Sequence, residues 1–228
     1  MRQTVSNSTG GSRVAAREAR RQQLINATID SISKRGFSGT TLTTVTKGAK
    51  LSHGVVNFYF DSKEALYNQT LEYLANEHYE FWHKAMQEAP DNSAAQLSAM
   101  LSADFDPKIC SPRKLAVWFA FWGQAKYRPS YLKIYNAHDE QRYVEIHRLC
   151  EKIIAEGKYR SITPGAAARS LEALIDGQWL SLLMYPDWTT PDEARSDIGV
   201  YLASVFPKHF DFPEAQSDSK RCGLKTKS

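Results

Sequence analysis

Apolar residues recur every three to four positions along most of the chain, which is the period of an α-helix. In the first such segment Leu24 and Ile32 lie on one face, and the pattern predicts a helix from about Val14 to Lys34. Gly36 then follows two basic residues and is typical of a helix end, so Phe37 can fold back onto the apolar face. The sequence therefore predicts that an amphipathic helix opens the folded part of the chain.

Two short helices are predicted next, at about Leu42–Ala49 and about His53–Phe58. Thr41 and Ser52 precede them and are residue types that cap a helix N-terminus with a side-chain oxygen. Because only residues 50–52 separate the two helices, the arrangement predicts a helix-turn-helix.

Six longer helices account for most of the remaining chain, at about Lys63–Glu88, Ser93–Phe105, Pro112–Tyr127, Pro129–Glu156, Pro164–Met184 and Pro191–Phe206. Four of the six begin at a proline, which suits the first turn because its missing N–H needs no partner there. No segment shows the two-residue alternation of a half-buried strand. The predicted fold class is therefore all-α, with three helices in an N-terminal helix-turn-helix module and six in the remainder.

Composition indicates where the folded region ends. Residues 1–12 are rich in Ser, Gly, Thr and Asn and are predicted to be a disordered arm, and residues 211–228 are predicted to be a disordered tail. Between them, residues 13–60 are predicted to form the helix-turn-helix module and residues 61–210 a second helical domain.

Charge is distributed unevenly along the chain, although the net charge is only +4. Residues 1–60 contain nine Lys and Arg against two Asp and Glu, whereas the other 168 residues contain twenty against twenty-three. A basic N-terminal region followed by a slightly acidic remainder indicates that the N-terminal region binds a polyanion such as nucleic acid. A basic region that is only solvated, with no such partner, would have the same composition. No apolar run approaches the roughly 20 residues that span a bilayer, and the N-terminus lacks the apolar stretch of a signal peptide, so we expect a cytoplasmic protein without membrane contact.

Motifs for catalysis or metal binding are not found in the sequence. There is no Gly-rich phosphate loop, no nucleophile elbow and no zinc-binding helix motif. His78 and His83 are five positions apart, and the three cysteines, Cys110, Cys150 and Cys222, match no metal or redox spacing. We therefore expect no catalytic residue, no metal and no cofactor. A helical enzyme and a helical scaffold protein are the alternatives from other functional classes.

The second of the two short helices presents polar residues where a recognition helix meets DNA. Four residues lie outward at its N-terminal part, namely Ser52, His53, Gly54 and Asn57. This part of the helix enters the major groove in helix-turn-helix proteins, where Asn57 is suited to a base edge and Gly54 allows a close backbone approach. Residues suited to phosphate contacts surround it: Thr41, Thr43, Thr44, Tyr59 and Lys63.

Residues 39–66, GTTLTTVTKGAKLSHGVVNFYFDSKEAL, resemble the N-terminal motif of the TetR family of transcriptional repressors. The shared features are Thr before an apolar residue, a short helix, Ser-x-Gly, Tyr-Phe and Lys-x-x-Leu. The resemblance covers about residues 17–66 and implies an all-helical DNA-binding protein. Lys50 departs from the family pattern, which usually has a turn glycine there, so we expect Lys50 to adopt a left-handed conformation at some cost.

Aromatic residues in the second part of the chain recur at helical spacing. Trp118 and Trp122 are four apart, as are Tyr127 and Tyr131, and Trp179 follows on a later helix. Such stripes usually belong to a packed core, and periodicity alone leaves a ligand-binding box as the less common alternative.

Two segments, residues 104–135 and residues 173–180, resemble the ligand domain of the choline-responsive repressors of the bacterial betaine pathway. The first contains Phe-Asp and Trp-x-Ala-Phe-Trp, and the second reads ALIDGQWL. The resemblance implies an inducer that carries a quaternary ammonium group. Such a group donates no hydrogen bond, and aromatic faces hold it with about 2 kcal/mol or more for a desolvated contact.

The same resemblance implies which residues bind the inducer. The aromatic cage is expected to consist of Trp118, Trp122, Tyr127, Tyr131 and Trp179. The negative charge is expected from Asp104 and Asp176, with Asp106 and Glu172 as alternatives. For Asp176 a structural role at a helix–helix contact is an almost equally good interpretation.

The resemblance also implies a homodimer on a palindromic operator in double-stranded DNA, because two half-sites require two recognition helices. Residues 61–210 are then the ligand-binding and dimerisation domain, and the last two helices form the interface. The apolar residues expected there are Leu171, Leu174, Ile175, Leu182, Ile198, Leu202 and Val205. A TetR-type regulator of another ligand, such as a drug cation, a nucleobase or an acyl compound, is the main alternative.

Overall fold

The computed structural model describes the backbone of residues 8–214 and the side chains of residues 13–52 and 54–214. This part of the chain contains nine α-helices and no strand, as the sequence predicts. In chain order the helices are α1 (Ser8–Gly39), α2 (Leu42–Gly48), α3 (His53–Tyr59), α4 (Lys63–Glu88), α5 (Ser93–Ala103), α6 (Pro112–Ala125), α7 (Pro129–Gly157), α8 (Pro164–Met184) and α9 (Pro191–Val205).

Most helix ends lie within one or two residues of their predicted positions, and the last four helices each begin at the predicted proline. The largest difference concerns α1, which begins at Ser8 rather than near Val14, so residues 8–12 are helical and not part of a disordered arm. Once a helix is nucleated, each added residue gains a hydrogen bond, and this offsets the weak helix propensity of Ser and Gly. Residues 1–7 of the predicted arm and residues 215–228 of the predicted tail lie outside the described residues.

α1 is interrupted at Gly36, whose φ of 65° lies in the left-handed region that glycine adopts without strain. The interruption directs Phe37 inward, and its ring packs edge-on against Tyr67 and Phe121 with centroids 5.0 Å apart in both cases. Tyr131 completes this aromatic cluster, 5.1 Å from Phe121. The predicted interruption at Gly36 and the inward turn of Phe37 are both confirmed, but helical backbone resumes after the break and continues to Gly39.

The chain forms two compact units. Among the described residues, the first comprises residues 8–74 and 116–131, with α1 to α3, the start of α4, most of α6 and the start of α7. The second comprises residues 75–115 and 132–214, with the rest of α4, α5, most of α7, α8 and α9. The predicted division near residue 60, which separates a DNA-binding from a ligand-binding domain, stays a prediction.

Within residues 8–214, no helix is both long enough and apolar enough to cross a membrane. Cys110 and Cys150 are free thiols in the interior. Burial raises the pKa of Cys150 to about 12, which keeps this thiol protonated at neutral pH. Cys222 lies outside the described residues.

Candidate functional site

A Schellman motif closes the turn between α2 and α3. The Leu51 N–H donates to the Thr46 carbonyl at 2.9 Å, and the Lys50 N–H donates to the Lys47 carbonyl at 3.2 Å. Lys50 occupies the left-handed position of the motif with a φ of 54°, which confirms the predicted conformation. A side chain in this conformation costs about 1–2 kcal/mol relative to the right-handed one, so the turn is locally strained.

Thr41 and Thr44 hold the N-terminus of α2 in a capping box. The Thr44 N–H donates to Thr41 Oγ1 at 3.1 Å, and the Thr41 N–H donates to Thr44 Oγ1 at 2.9 Å. The Thr44 hydroxyl also donates to the Thr41 carbonyl at 2.9 Å and lies 3.0 Å from Ser31 Oγ. Both hydroxyls therefore hydrogen-bond to backbone groups at the start of α2. Their predicted contact with DNA stays a prediction. Thr43, between them, is exposed.

The outer face of α3 is open. Ser52 occupies the N-cap position, but among the described atoms its side chain makes no capping hydrogen bond, contrary to the predicted cap, and it is exposed. Gly54 and Asn57 are exposed as well, and a Cβ at Gly54 would meet nothing within 4 Å. Val56, only 1% exposed, anchors the opposite face. The backbone of His53 begins the helix, and its side chain is outside the described set.

Cationic and aromatic side chains border this face within the first unit. Lys63 is exposed at the start of α4, and its Nζ lies 5.2 Å from the centre of the Tyr67 ring. The Arg17 guanidinium lies 5.8 Å from the ring of Phe58, which is 69% exposed. Tyr59 is half-buried. Exposed cations around an open helix face suit a phosphate backbone, because they remain hydrated until DNA arrives.

Four of the aromatic residues predicted to bind the ligand lie between residues 118 and 131, and they differ in their surroundings. The rings of Trp118 and Trp122 lie 6.3 Å apart at an angle of 46°. Tyr131 is 1% exposed and belongs to the aromatic cluster around Phe37, and burial raises the pKa of its hydroxyl to about 12. Tyr127 is 74% exposed. The structure therefore brings the two tryptophans together, places Tyr131 in the core and leaves Tyr127 at the surface.

A buried charge cluster lies in the second unit around Arg142 of α7. Arg142 is 6% exposed, and its guanidinium donates to Asp104 Oδ2 at 2.5 Å and to Glu172 Oε1 at 2.6 Å. Asp104 is fully buried at the C-cap of α5, and its Oδ1 lies 2.6 Å from His78 Nε2. α5 ends at Ala103, two residues before the predicted end, because the backbone N–H groups of Phe105 and Asp106 donate to the carbonyls of Ser102 and Ala103, three residues earlier, instead of continuing the α-helical pattern.

Aromatic residues adjoin this Arg142 cluster. The Trp179 Nε1–H donates to the Asp104 carbonyl at 3.0 Å, so two predicted ligand residues are in direct contact. The Trp179 ring centroid lies 5.5 Å from that of His78. The Tyr135 hydroxyl is hydrogen-bonded to Asp139, one helical turn further along α7.

The carboxylates of the cluster differ in their pKa values. Burial, together with the nearby Asp139 and Asp176, raises the pKa of Glu172 to about 7 in spite of its ion pair with Arg142. Burial likewise raises the pKa of Asp139. Desolvation by the surrounding protein raises the pKa of Asp176 to about 6, although part of this side chain is exposed to solvent. Burial also opposes the charge on Asp104, but Arg142 and His78 outweigh it and hold that pKa below its usual value.

Four carboxyl groups thus surround one guanidinium and one imidazole, on parts of four helices. The surplus of acidic groups attracts a cation, and the neighbouring Trp179 and Tyr135 provide aromatic surface. The exposed Asp176 shows that the cluster is open to solvent at one point. Chemically, this arrangement suits an organic cation that needs charge and aromatic contact rather than hydrogen-bond acceptors alone.

Sequence reasoning missed Arg142 and Asp139 and considered His78 only as one half of a metal-binding pair, which its spacing from His83 does not fit. A sequence signal for the cluster was present in the spacing of polar and aromatic residues along two helices, because residues at i, i+4 and i+7 share one helix face. On α7 these positions are Tyr135, Asp139 and Arg142, and on α8 they are Glu172, Asp176 and Trp179.

A separate cleft of about 520 Å³ lies in the second unit, beside α5, α9 and residues 213–214. Within the described residues, none of the predicted ligand-binding side chains lines this cleft. Its Arg195 is paired with Asp192 at 2.7 Å, and its one aromatic residue, Phe105, is 0% exposed. The cleft therefore offers no aromatic face to a cation, and the Arg142 cluster is the better candidate.

The apolar surface available to a second copy differs from the predicted one. Five residues predicted for the interface are buried inside the chain, namely Leu171, Ile175, Leu182, Ile198 and Leu202. They are covered because α9 packs against α5 and α8 of the same chain. The large apolar residues left exposed on or after these helices, among the described residues, are Leu180, Met184, Tyr185, Trp188, Val200 and Phe212.

The chain is similar to proteins of known family along most of its length. Residues 24–70 match the model of bacterial regulatory proteins of the tetR family, and residues 93–207 match the model of the C-terminal domain of BetI-type transcriptional repressors. The HTH-type transcriptional regulator BetI of Burkholderia thailandensis is 33% identical over 168 residues, which is 74% of this chain and 84% of that protein. BetI of Paraburkholderia phytofirmans is 31% identical over 172 residues, with the same shares covered.

Solved structures share the fold. A transcriptional regulator from Pseudomonas aeruginosa PAO1 superposes with a TM-score of 0.74 at 24% identity, over 85% of this chain and 95% of that one. A transcriptional regulator from Saccharomonospora viridis, solved in complex with choline, superposes with a TM-score of 0.73 at 16% identity, over 81% of this chain and 96% of that one. At these identities the likeness concerns the fold alone.

Proposed function

This chain belongs to the TetR family of bacterial transcriptional regulators and carries a BetI-type C-terminal domain, and from that premise we propose that it is a repressor that senses a quaternary ammonium compound of the choline type. As a member of this family it is a transcriptional regulator and not an enzyme. The ligand is proposed from one observation above all, the surplus of carboxylates around Arg142 beside Trp179. The BetI relatives and the choline complex of a structural neighbour support it.

The charge of the Arg142 cluster favours a monocation. Asp139, Glu172 and Asp176 share a single guanidinium that is already bonded to Asp104. A quaternary ammonium brings one positive charge and no N–H group that would require an acceptor, so carboxylates at a distance and an aromatic face satisfy it. A zwitterion such as a betaine would place its own carboxylate among these acids and is disfavoured.

The DNA partner is proposed to be a palindromic operator read by α3. Gly54 and Asn57 form the exposed face that reaches base edges, and Lys63 contacts a phosphate. The protein acts as a homodimer, because two half-sites need two copies of α3. The exposed residues Leu180, Met184 and Val200 supply apolar surface for the dimer.

The two activities are coupled, because one helix carries residues of both sites. α4 begins with Lys63, beside the recognition helix, and continues without a break to His78 of the Arg142 cluster. Binding of the cation and binding of the operator oppose each other by the same coupling free energy, since linkage between two ligands is reciprocal.

A fluorescence titration with choline chloride tests the ligand. Trp179 touches Asp104, so choline is expected to change tryptophan emission in the native protein, and Trp179→Phe is expected to lose most of that change. Trp188→Phe is the matched control, because Trp188 is 72% exposed and outside the Arg142 cluster. No emission change and no calorimetric heat up to millimolar choline would contradict the ligand assignment.

A gel shift with the DNA upstream of the protein's own gene tests the repressor role. The dimer is expected to retard this DNA at low salt and to lose affinity steeply as salt rises, because phosphate contacts release counterions. Choline is expected to weaken the complex. A protein that is folded by circular dichroism but gives no shift at low salt would refute DNA binding at this operator.

A further inference from the structure

The Arg142 cluster holds more acidic groups than its cations can neutralise. Asp104 and Glu172 take the two hydrogen bonds of the Arg142 guanidinium at 2.5 and 2.6 Å. Asp139 and Asp176 lie within the electrostatic reach of the same guanidinium. Without a bound cation, the full ionisation of all four acids would leave uncompensated negative charge in a largely buried region, which is costly.

Every element packed into the cluster contributes a titratable or charged group. α4 contributes His78, and the C-cap of α5 contributes Asp104. The remaining groups come from two helices, Tyr135, Asp139 and Arg142 from α7 and Glu172 and Asp176 from α8. Burial, reinforced by the negative charge of Asp139, raises the pKa of Tyr135, so this hydroxyl stays neutral at physiological pH.

Protons therefore remain on part of the acid group near neutral pH. Burial raises the pKa of Glu172 to about 7, and that of Asp176 is raised to about 6. Asp104 is the exception, because Arg142 and His78 keep it ionised. The unliganded cluster thus stores exchangeable protons on α8 next to Trp179.

We propose that the cation enters this cluster in exchange for protons held by Glu172 and Asp176, so that affinity for the inducer increases with pH. This inference rests on the proposed function, since it assumes that the cation binds here. The bound positive charge compensates the carboxylates that Arg142 leaves unbalanced, and the displaced protons pass to solvent at the exposed Asp176. The repressor then responds jointly to its ligand and to the pH of its surroundings.

Linkage fixes the size of the effect. For each proton released, the dissociation constant decreases about tenfold per pH unit over the range where the proton is given up, and becomes constant above it. We expect the change to fall between about pH 5.5 and 7.5, the range set by the pKa values of Asp176 and Glu172. Choline has no group that titrates in this range, so any released proton comes from the protein and is taken up by the buffer.

Isothermal calorimetry of the full-length protein with choline chloride tests the proposal. At pH 6.5, titrations in buffers of different ionisation enthalpy are expected to show the release of between about half a proton and one proton per site. Titrations from pH 5.5 to 8.5 are expected to show tighter binding with increasing pH, then a plateau. Glu172→Gln and Asp176→Asn are each expected to reduce the proton count, whereas Glu151→Gln, an exposed acid on α7, is the control that keeps it.

The outcomes separate this inference from the proposed function. Choline binding with the same affinity at every pH and no buffer-dependent heat would overturn the proton exchange and leave the ligand assignment intact. No binding of choline at any pH would overturn the ligand assignment and the inference with it. If a variant fails to fold, the number of protons that the native protein releases on binding choline still tests the proton exchange. An unchanged count in a folded double variant, Glu172→Gln with Asp176→Asn, would assign the protons to other groups and refute the proposal.

Discussion

The recognition face of α3 and the Arg142 cluster are both polar, but they are assembled in different ways. The residues of the recognition face lie between Thr41 and Lys63 and are positioned by local hydrogen bonds, a capping box and a Schellman turn. The Arg142 cluster draws on residues from His78 to Trp179, which only the packing of α4, α5, α7 and α8 brings together.

Because of this difference, substitutions on the face of α3 should change DNA binding alone, whereas substitutions in the Arg142 cluster should change both ligand binding and the stability of the fold. An exposed polar side chain keeps its water until DNA displaces it, so its removal affects binding and leaves folding almost unchanged. A buried charge depends on its partners for solvation, so the removal of one partner destabilises the fold as well as the site. Substitutions in the two regions should therefore have different signatures.

The largest effect is expected from Asp104→Asn. Arg142 would keep Glu172 but lose its fully buried partner, and we expect the free energy of unfolding to fall by about 3 kcal/mol. Urea denaturation followed by circular dichroism measures this. The control Glu145→Gln removes the partner of Arg148 in a half-exposed pair and is expected to cost about 0.5 kcal/mol or less. Equal losses in both variants would show that the cluster behaves like a surface ion pair.

The next effect is expected from Asn57→Ala on the recognition face. Loss of a base contact should weaken operator binding by about 1–3 kcal/mol, while the free energy of unfolding changes by less than about 0.5 kcal/mol. Fluorescence anisotropy with labelled operator measures the first quantity and urea denaturation the second. Asn136→Ala, at an exposed position of α7, is the matched control and should change neither. Unchanged operator affinity in Asn57→Ala would remove this residue from the base contacts.

The pH dependence of stability distinguishes the cluster further. In the folded state Glu172 retains a proton that the unfolded chain has already lost above its ordinary pKa. Its contribution to stability is therefore full at low pH and is lost as the pH rises through about 7. Without ligand, we expect the free energy of unfolding to fall by about 2–3 kcal/mol between pH 5 and 8 from this group.

Glu172→Gln checks the assignment, because it removes the titrating group while keeping a polar side chain beside Arg142. The variant should flatten the pH dependence of urea denaturation, whereas Glu151→Gln should leave its slope as in the native protein. A slope that survives in Glu172→Gln would show that another group titrates.

The smallest effect is expected from Lys50→Gly in the turn of the recognition motif. Glycine adopts the left-handed conformation without strain, and we expect a net gain of about 0.5–1 kcal/mol in the free energy of unfolding after its larger chain entropy is included. Lys47→Gly, in the last turn of α2, removes the same charge and should cost about 1 kcal/mol. If both variants are destabilised, the strain at Lys50 is relieved in another way.

The fold was largely predictable because its signals are local. Four prolines mark the first turns of α6 to α9, and Gly36 marks the break in α1. The same holds for the two short helices of the recognition motif, which were predicted from residues adjacent in sequence, whereas the left-handed conformation of Lys50 followed from the resemblance to the TetR family. The start of α1 was wrong, because helix extension past a weak segment depends on a balance of small terms that composition does not resolve.

The Arg142 cluster was predictable only in part. Resemblance to choline-responsive repressors indicated Asp104, Asp176 and Trp179, and the structure shows Asp104 bonded to Trp179. Arg142 lies in the middle of a long, mostly polar helix, where a charged residue is usually solvated. The interface residues Leu171 and Ile175 were misjudged for a related reason, since a helical stripe does not reveal which neighbour will cover it.

The sequence by itself therefore determined the helices, most of their ends and the recognition motif, because backbone hydrogen bonds and turn conformations depend on residues a few positions apart. Only the tertiary structure decided which charges are buried and which acids share one guanidinium. The free energy of a charge depends on its distance to partners and to water, and for Asp104, Arg142 and Glu172 those distances are set by the packing of separate helices.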